Sequence, residues 1–161
     1  MIDLQPCSTT DFTAYRDFVA SDESVDRVAR QETDRLLPDG PATKNQHLLS
    51  IKTESGISVG LIWLTVIERT NGAEAFILDF VVFPKFRRRG FARQAMPLVE
   101  KYTENLGLTQ ISLSVSAGNE QARALYASTG FNPVFVRMTK AMKKEPNQAP
   151  EPTAAAGRGS S

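Results

Sequence analysis

Two hydrophobic periods alternate along the chain, and each switch between them marks an element. Ile2 to Leu4 reads as a short strand. Thr9 or Thr10 is placed to cap a helix with Phe12, Tyr15, Phe18 and Val19 on one face. A more polar helix is predicted from about Ser24 to Leu37, with Val25, Val28, Ala29 and Leu36 inward, and Pro38-Asp39-Gly40-Pro41 stops it. Three strands follow, His47–Lys52, Ile57–Glu68 and Ala75–Phe83. The turn Glu54-Ser55-Gly56 and the hairpin dipeptide Asn71-Gly72 join them into a meander. The period then becomes helical, with Phe91, Ala95, Leu98, Val99, Tyr102 and Leu106 on one stripe. Pro97 interrupts this helix and removes the bond to the Arg93 carbonyl, at about 3 kcal/mol if uncompensated, so a kink on the solvent side is expected. Gln110–Val115 alternates cleanly as a strand, Asn119–Ser128 reads as a helix ended by Gly130, and Phe135–Met142 reads as a final strand. This order predicts an α+β fold whose mixed, mostly antiparallel central sheet is flanked by helices. From about Lys144 the text turns to Pro, Ala, Gly and Ser, which bury no core. A folded domain over 1–143 and a disordered tail over 144–161 are expected.

Composition narrows the chemistry. The 161 residues suit one domain, and 41% apolar content is ordinary for a soluble globular protein. A formal charge of +1 gives the whole chain no polyanion-binding character. Cys7 is the single cysteine and His47 the single histidine. Intrachain disulfides, thiolate clusters and His-based zinc sites are thereby excluded, and few routes remain to a Ser-His triad. No metal is expected. No apolar stretch approaches a membrane span and Met1-Ile2-Asp3-Leu4 carries no signal pattern, so a cytoplasmic protein is the default.

Against that neutral background, Val82-Phe83-Pro84-Lys85-Phe86-Arg87-Arg88-Arg89-Gly90-Phe91-Ala92 stands out. A strand empties into a basic, glycine-containing loop that opens a helix, an arrangement that aims backbone N–H groups at an anion. Small residues at Gly90 and Ala92 let phosphates approach that backbone. A solvated basic turn, a nucleic-acid patch and a phosphate cradle all fit Arg87-Arg88-Arg89-Gly90 taken alone. The loop is neither a Walker sequence nor G-x-G-x-x-G.

The wider pattern chooses among these. Arg87-x-x-Gly90-x-Ala92 is followed about thirty residues later by Asn119-x-x-Ala122-x-x-Leu125-Tyr126-x-x-x-Gly130-Phe131. In that order and spacing the pair resembles the acetyl-CoA-dependent N-acetyltransferases of the GNAT superfamily, whose loop reads [QR]-x-x-G-x-[GA] and whose later helix reads N-x-x-A-x-x-L-Y-x-x-x-G-F. The close resemblance spans Phe76 to Phe131. It implies acetyl-CoA as acyl donor, and central strands, here Phe76–Phe83 and Gln110–Val115, that splay to admit the pantetheine arm. Phe80 and Val82 would offer that arm their backbone groups. The pyrophosphate would rest on the amides of Arg87, Arg88, Arg89, Gly90, Phe91 and Ala92. Arg88 and Arg89 either add charge or face water. Asn119 would lie near the pantetheine or serve as a plain helix cap. Tyr126, on the same helix face and about 10.5 Å along the axis, would lie near the thioester sulfur.

The implied reaction is direct transfer: a neutral amine attacks the thioester, the Val82 N–H polarises the carbonyl oxygen, and Tyr126 protonates the departing thiolate. A covalent route through Cys7 is not expected. Many relatives place a glutamate base on a central strand, where this chain has Val81 and Ser114. Asp79 is the acidic residue within Ile77–Phe83 and is either that base or a structural hydrogen-bonding group. Glu68, Glu74, His47 or a water chain are further candidates. The acceptor, a small-molecule or peptide amine, would meet the region Asp11–Gly40. No nucleic acid or membrane partner is expected, and the assembly is a monomer or homodimer. Two rivals stand beside this reading: a non-catalytic acyl-CoA sensor of the same fold, and a nucleic-acid-binding domain using Lys85 to Arg89.

Overall fold

Apolar side chains stand on both sides of the meander, so its sheet has to be covered twice. The computed structural model describes residues 1–21 and 33–142 and meets that demand. Five strands, β1 (Ile2–Pro6), β2 (Gln46–Thr53), β3 (Ser58–Arg69), β4 (Gly72–Val82) and β5 (Ile111–Leu113), lie side by side in chain order. The first three pairings are antiparallel and β4–β5 is parallel. Helices α1 (Thr9–Ser21), α2 (Phe91–Asn105) and α3 (Glu120–Ser128) cover the sheet, with short 3-10 turns at Gly40–Ala42 and Pro84–Phe86. Phe80 and Val82 of β4 pack with Ala95, Met96 and Val99 of α2 and with Leu125 and Tyr126 of α3. Val81 points the other way, into a cluster with Tyr15 and Val19 of α1, Leu37, Leu61 and Trp63. The mixed, mostly antiparallel sheet with flanking helices is therefore the expected fold. No helix of the described residues is long and apolar enough to cross a membrane.

The sheet opens where it matters. β5 pairs with β4 only across Ala75↔Ile111, Phe76↔Ser112 and Ile77↔Leu113. Just past that point β4 bulges: Ile77 faces Leu64 and Asp79 faces Trp63, so Leu78 is the extra residue. Among the described residues, the rest of β4 is held by β3 alone. The Phe83 N–H donates to the Val59 carbonyl at 2.9 Å, which fixes the parity. Val81, like Phe83, turns its backbone to β3, while Phe80 and Val82 turn theirs to the open side. β4 can lie this close to β3 because Gly60 has no side chain; a Cβ there would stand 2.1 Å from the Val81 carbonyl oxygen.

Four expectations change. The cap of α1 is Ser8, whose Oγ accepts from the Asp11 N–H at 3.1 Å, in place of Thr9 or Thr10. The predicted strand Gln110–Val115 shrinks to Ile111–Leu113, because the splay leaves its far end without a ladder partner. The predicted strand Phe135–Met142 does not form. Its composition suits a strand, but a strand needs an edge to pair with, and here Val134, Phe135, Val136 and Met138 are 74–94% exposed. Leu106, placed on the inner stripe of its helix, is instead exposed just past the end of α2. Pro97 lies inside α2, on its exposed face. The helix predicted from Ser24 is seen only in its last turn at 33–36, the rest lying outside the described residues, as does the tail over 144–161.

Candidate active site

The loop after β4 is shaped by two left-handed residues. Arg88 has φ +65° and Gly90 φ +77°. Glycine takes this conformation freely, but arginine does so at a cost of order 1 kcal/mol, a strain typical of ligand-holding loops. The first helical bond of α2 is the Gln94 N–H to the Gly90 carbonyl, 3.1 Å. The amides of Phe91, Ala92 and Arg93 precede it and have no acceptor within the helix. Arg87 does something different. Its amide donates to the Pro84 carbonyl (3.3 Å), and its Nε donates to the Val82 carbonyl (3.0 Å), fastening the loop to the end of β4. Arg89 lies over the Phe86 ring, 5.9 Å from the centroid, and Lys85 lies 4.9 Å from it.

Loop and α3 together enclose a cavity of about 300 Å³. Val82, Arg88, Gly90, Phe91 and Ala92, all anticipated from the sequence, line it. Phe86, Arg93, Gln121, Ala124 and Leu125 also line it and were not anticipated. The signal for the last three was present in the i, i+3, i+4 spacing of one helix face. Phe80, Arg87, Arg89 and Asn119 are not in its wall. Asn119 caps α3, accepting from the Ala122 N–H at 3.1 Å through Oδ1.

Asp79 is 7% exposed, just past the bulge. Its Oδ2 accepts from the Tyr15 hydroxyl at 2.7 Å, and its Oδ1 from the Phe80 N–H at 2.9 Å. Tyr15, on α1, went unrecognised because its helical spacing marked it only as core. Tyr126 of α3, 4% exposed, packs in the cluster of Phe80 and Val82, on the other face of the sheet from Tyr15. Burial pushes the Tyr126 phenol well above the ordinary tyrosine value, and the Asp79 charge pushes it further. The two candidates of opposite proton role, named separately from the sequence, are thus electrostatic neighbours. Tyr126 is held by the end of its own helix: Phe131 N–H reaches the Tyr126 carbonyl (3.0 Å), Gly130 N–H reaches Ala127 (3.2 Å), and Gly130 has φ +96°. This helix-end motif folds Phe131 back onto Tyr126, ring centroids 5.5 Å apart and edge to face.

The other base candidates are engaged elsewhere. Glu74 is buried between Arg69 and Gln110, toward the far end of β4. Glu68 is exposed at the same end. His47 Nδ1 lies 2.8 Å from the Tyr102 hydroxyl, and burial lowers its pKa. Burial raises the Cys7 thiol, which leaves it a poor nucleophile. Among the described residues no three His, Cys, Asp or Glu side chains gather to hold a metal ion.

The chain is similar to known proteins in sequence and in fold. The model of the acetyltransferase (GNAT) family matches residues 12–131. The uncharacterized N-acetyltransferase YycN of Bacillus subtilis is 31% identical over 150 residues, covering 85% of this chain and 96% of that protein. Its crystal structure superposes with TM-score 0.77, covering 89% of this chain and 100% of the other at 30% identity. AAC(6')-Iy, solved in complex with the bisubstrate analogue CoA-S-monomethyl-acetylneamine, shares the fold at TM-score 0.62 and 16% identity, over 89% of this chain and 99% of that one.

Proposed function

The chain belongs to the acetyltransferase (GNAT) family, and from that premise we propose that it moves an acetyl group from acetyl-CoA to a primary amine by direct transfer in a ternary complex. The observation that carries this reading is the cavity of about 300 Å³ at the end of β4, bounded by the left-handed loop and by α3, the helix that carries Tyr126.

The residues present fit the donor. Amides of Phe91, Ala92 and Arg93 at a helix start, with the charges of Arg88 and Arg93, suit a diphosphate. Val82, Ala124 and Leu125 suit an apolar arm. Phe80 and Val82 turn backbone groups toward that arm, although the Phe80 N–H is already given to Asp79 and the Val82 carbonyl already accepts from Arg87. The Phe80 carbonyl and the Val82 N–H are the groups left on that side by strand parity. In this reading Arg87 sets the loop in place, Arg89 braces it through Phe86, and Asn119 acts by starting α3.

Bound acetyl-CoA supplies an activated thioester carbonyl. The Val82 N–H donates to the oxygen on which charge develops. Asp79, kept a hydrogen-bond acceptor by Tyr15 and Phe80, takes the proton of the attacking amine. Tyr126 returns a proton to the leaving sulfur. Its raised pKa does not forbid this, because the burial that keeps the phenol protonated also raises the basicity of a thiolate released beside it. Cys7 has no part in the reaction.

The test is thiol release from acetyl-CoA over a broad panel of amines, with the wild-type protein and Tyr126→Phe. The wild type turns over at least one amine, and the variant loses about 10²-fold or more in turnover while still binding CoA. Equal turnover removes Tyr126 from the reaction. Wild-type CoA binding with no acceptor anywhere in the panel points to the sensor reading.

A further inference from the structure

On the face of β4 opposite the donor cavity lies a second opening, of about 420 Å³. Ala14 and Phe18 of α1, Ser58 at the start of β3, and Phe83, Pro84 and Lys85 line it. It stands apart from the reacting groups. Along β4, Val81 lies between it and Asp79, fully buried and packed with Tyr15 and Val19. The chain itself divides it from the donor cavity, giving Val82 and Phe86 to one opening and Phe83, Pro84 and Lys85 to the other.

Three features of the lining define what fits. The rings of Phe18 and Phe83 meet edge to face, centroids 6.0 Å apart, and with Ala14 and Pro84 they form an apolar wall suited to a ring. Lys85 brings an ammonium group that lies over the Phe86 ring and has no carboxylate partner among the described residues. Ser58 Oγ is shut off from water and bonded to nothing among the described residues. A buried hydroxyl is destabilising while it stays unpaired. Rotation about χ1 would turn it into the cavity that its residue lines. No acidic side chain stands in the wall among the described residues, so the lining does not suit an amine. We propose that this cavity is a binding site for a small aromatic carboxylate, its ring against Phe18 and Phe83 and its carboxylate held by the Lys85 ammonium and the Ser58 hydroxyl.

Titration of the full chain with 3-phenylpropionate, followed through NMR amide shifts, tests this. The acid should bind saturably with a Kd near or below about 1 mM, as suits a ligand of its size. The uncharged 3-phenylpropionamide should bind about tenfold more weakly or worse. Shifts should gather at Phe18, Ser58, Phe83 and Lys85 and persist when CoA is added. No saturable shift, equal binding of acid and amide, shifts centred on Phe91–Arg93 and Gln121, or displacement by CoA overturns the proposal. The binding needs no CoA, so its failure leaves acetyl transfer untouched, and failure of acetyl transfer leaves this site standing. Ala14 is exposed on α1, so Ala14→Phe fills the cavity from the surface and should abolish binding at an unchanged melting temperature. Ser58→Ala should weaken binding about tenfold without lowering the melting temperature, because it deletes a hydroxyl that bonds to nothing. Normal binding by either variant contradicts the site. Should Ala14→Phe fail to fold, the wild-type shifts and Ser58→Ala still decide.

Discussion

Asp79 and Tyr15 form a buried contact between β4 and α1. A buried carboxylate needs donors, and this one has the Tyr15 hydroxyl and the Phe80 N–H. Tyr15→Phe removes one of them without changing shape. The expected cost in stability is about 1–3 kcal/mol, read by denaturant unfolding. Losing a bond to the ionised form also disfavours that form. If Asp79 is the base, the acid limb of the pH–rate profile therefore moves to higher pH, while the limb set by another group stays. A stability loss with an unmoved acid limb would leave Asp79 structural. From the sequence, Asp79 carried two readings because a lone acid in an apolar run states its burial cost but not its partner. The partner is 64 positions away. By contrast, Arg88, Gly90, Phe91 and Ala92 were legible as a loop-to-helix turn from local spacing, whereas Tyr126 was singled out by the resemblance of its motif.

At the scale of elements, the cleft exists because β4 is held on one side and released on the other. The bulge at Leu78 and the three-residue β5 release it; the close approach to β3 at Gly60 holds it. Gly60→Ala forces a methyl into the Val81 carbonyl, a backbone atom that cannot swing away. Overpacking of this kind costs about 1–3 kcal/mol. The melting temperature should fall and CoA binding weaken with it, because Val82 moves; an unchanged melting temperature would show that β3 has slack. The bulge was not readable from the chain, since it changes neither residue type nor strand period by enough to notice. Phe135–Met142 failed for the opposite reason: its pattern is strand-like, yet pattern specifies a face and not a partner. The end of α3 was readable, because Gly130 at positive φ and Phe131 folded onto Tyr126 follow from a short local motif.

For the molecule as a whole, a second buried carboxylate, Asp11, also ties α1 to the sheet. Asp11 accepts from Ser8 at 2.8 Å, Ser50 at 3.0 Å and Lys52 at 2.9 Å. Burial alone would raise its pKa, but the hydrogen bonds from Lys52, Ser8 and Ser50, with the Lys52 charge, outweigh it and hold the group at about 2, below the ordinary 3.8. A depressed carboxylate stabilises the fold above its unfolded value and loses that contribution as pH falls through about 2. Asp11→Asn should cost about 2 kcal/mol at neutral pH, and the gap from wild type should close in strong acid; a gap independent of pH would refute the tie. Architecture and strand order followed from hydrophobic period and turns, whereas this network did not, since Ser8, Asp11, Ser50 and Lys52 converge only after folding. The central claim is that a diphosphate docks on the main chain just past Phe86. It is tested most directly by the CoA-induced rise in melting temperature of wild type and Gly90→Val. Gly90 sits at φ +77°, where a β-branched residue is strained and its Cβ would crowd the phosphates. Wild type should gain about 2.7 kcal/mol of stabilisation at a hundredfold excess of CoA over Kd, while the variant, still folded without ligand, should gain none. An equal gain in both would place the phosphates elsewhere and contradict the account.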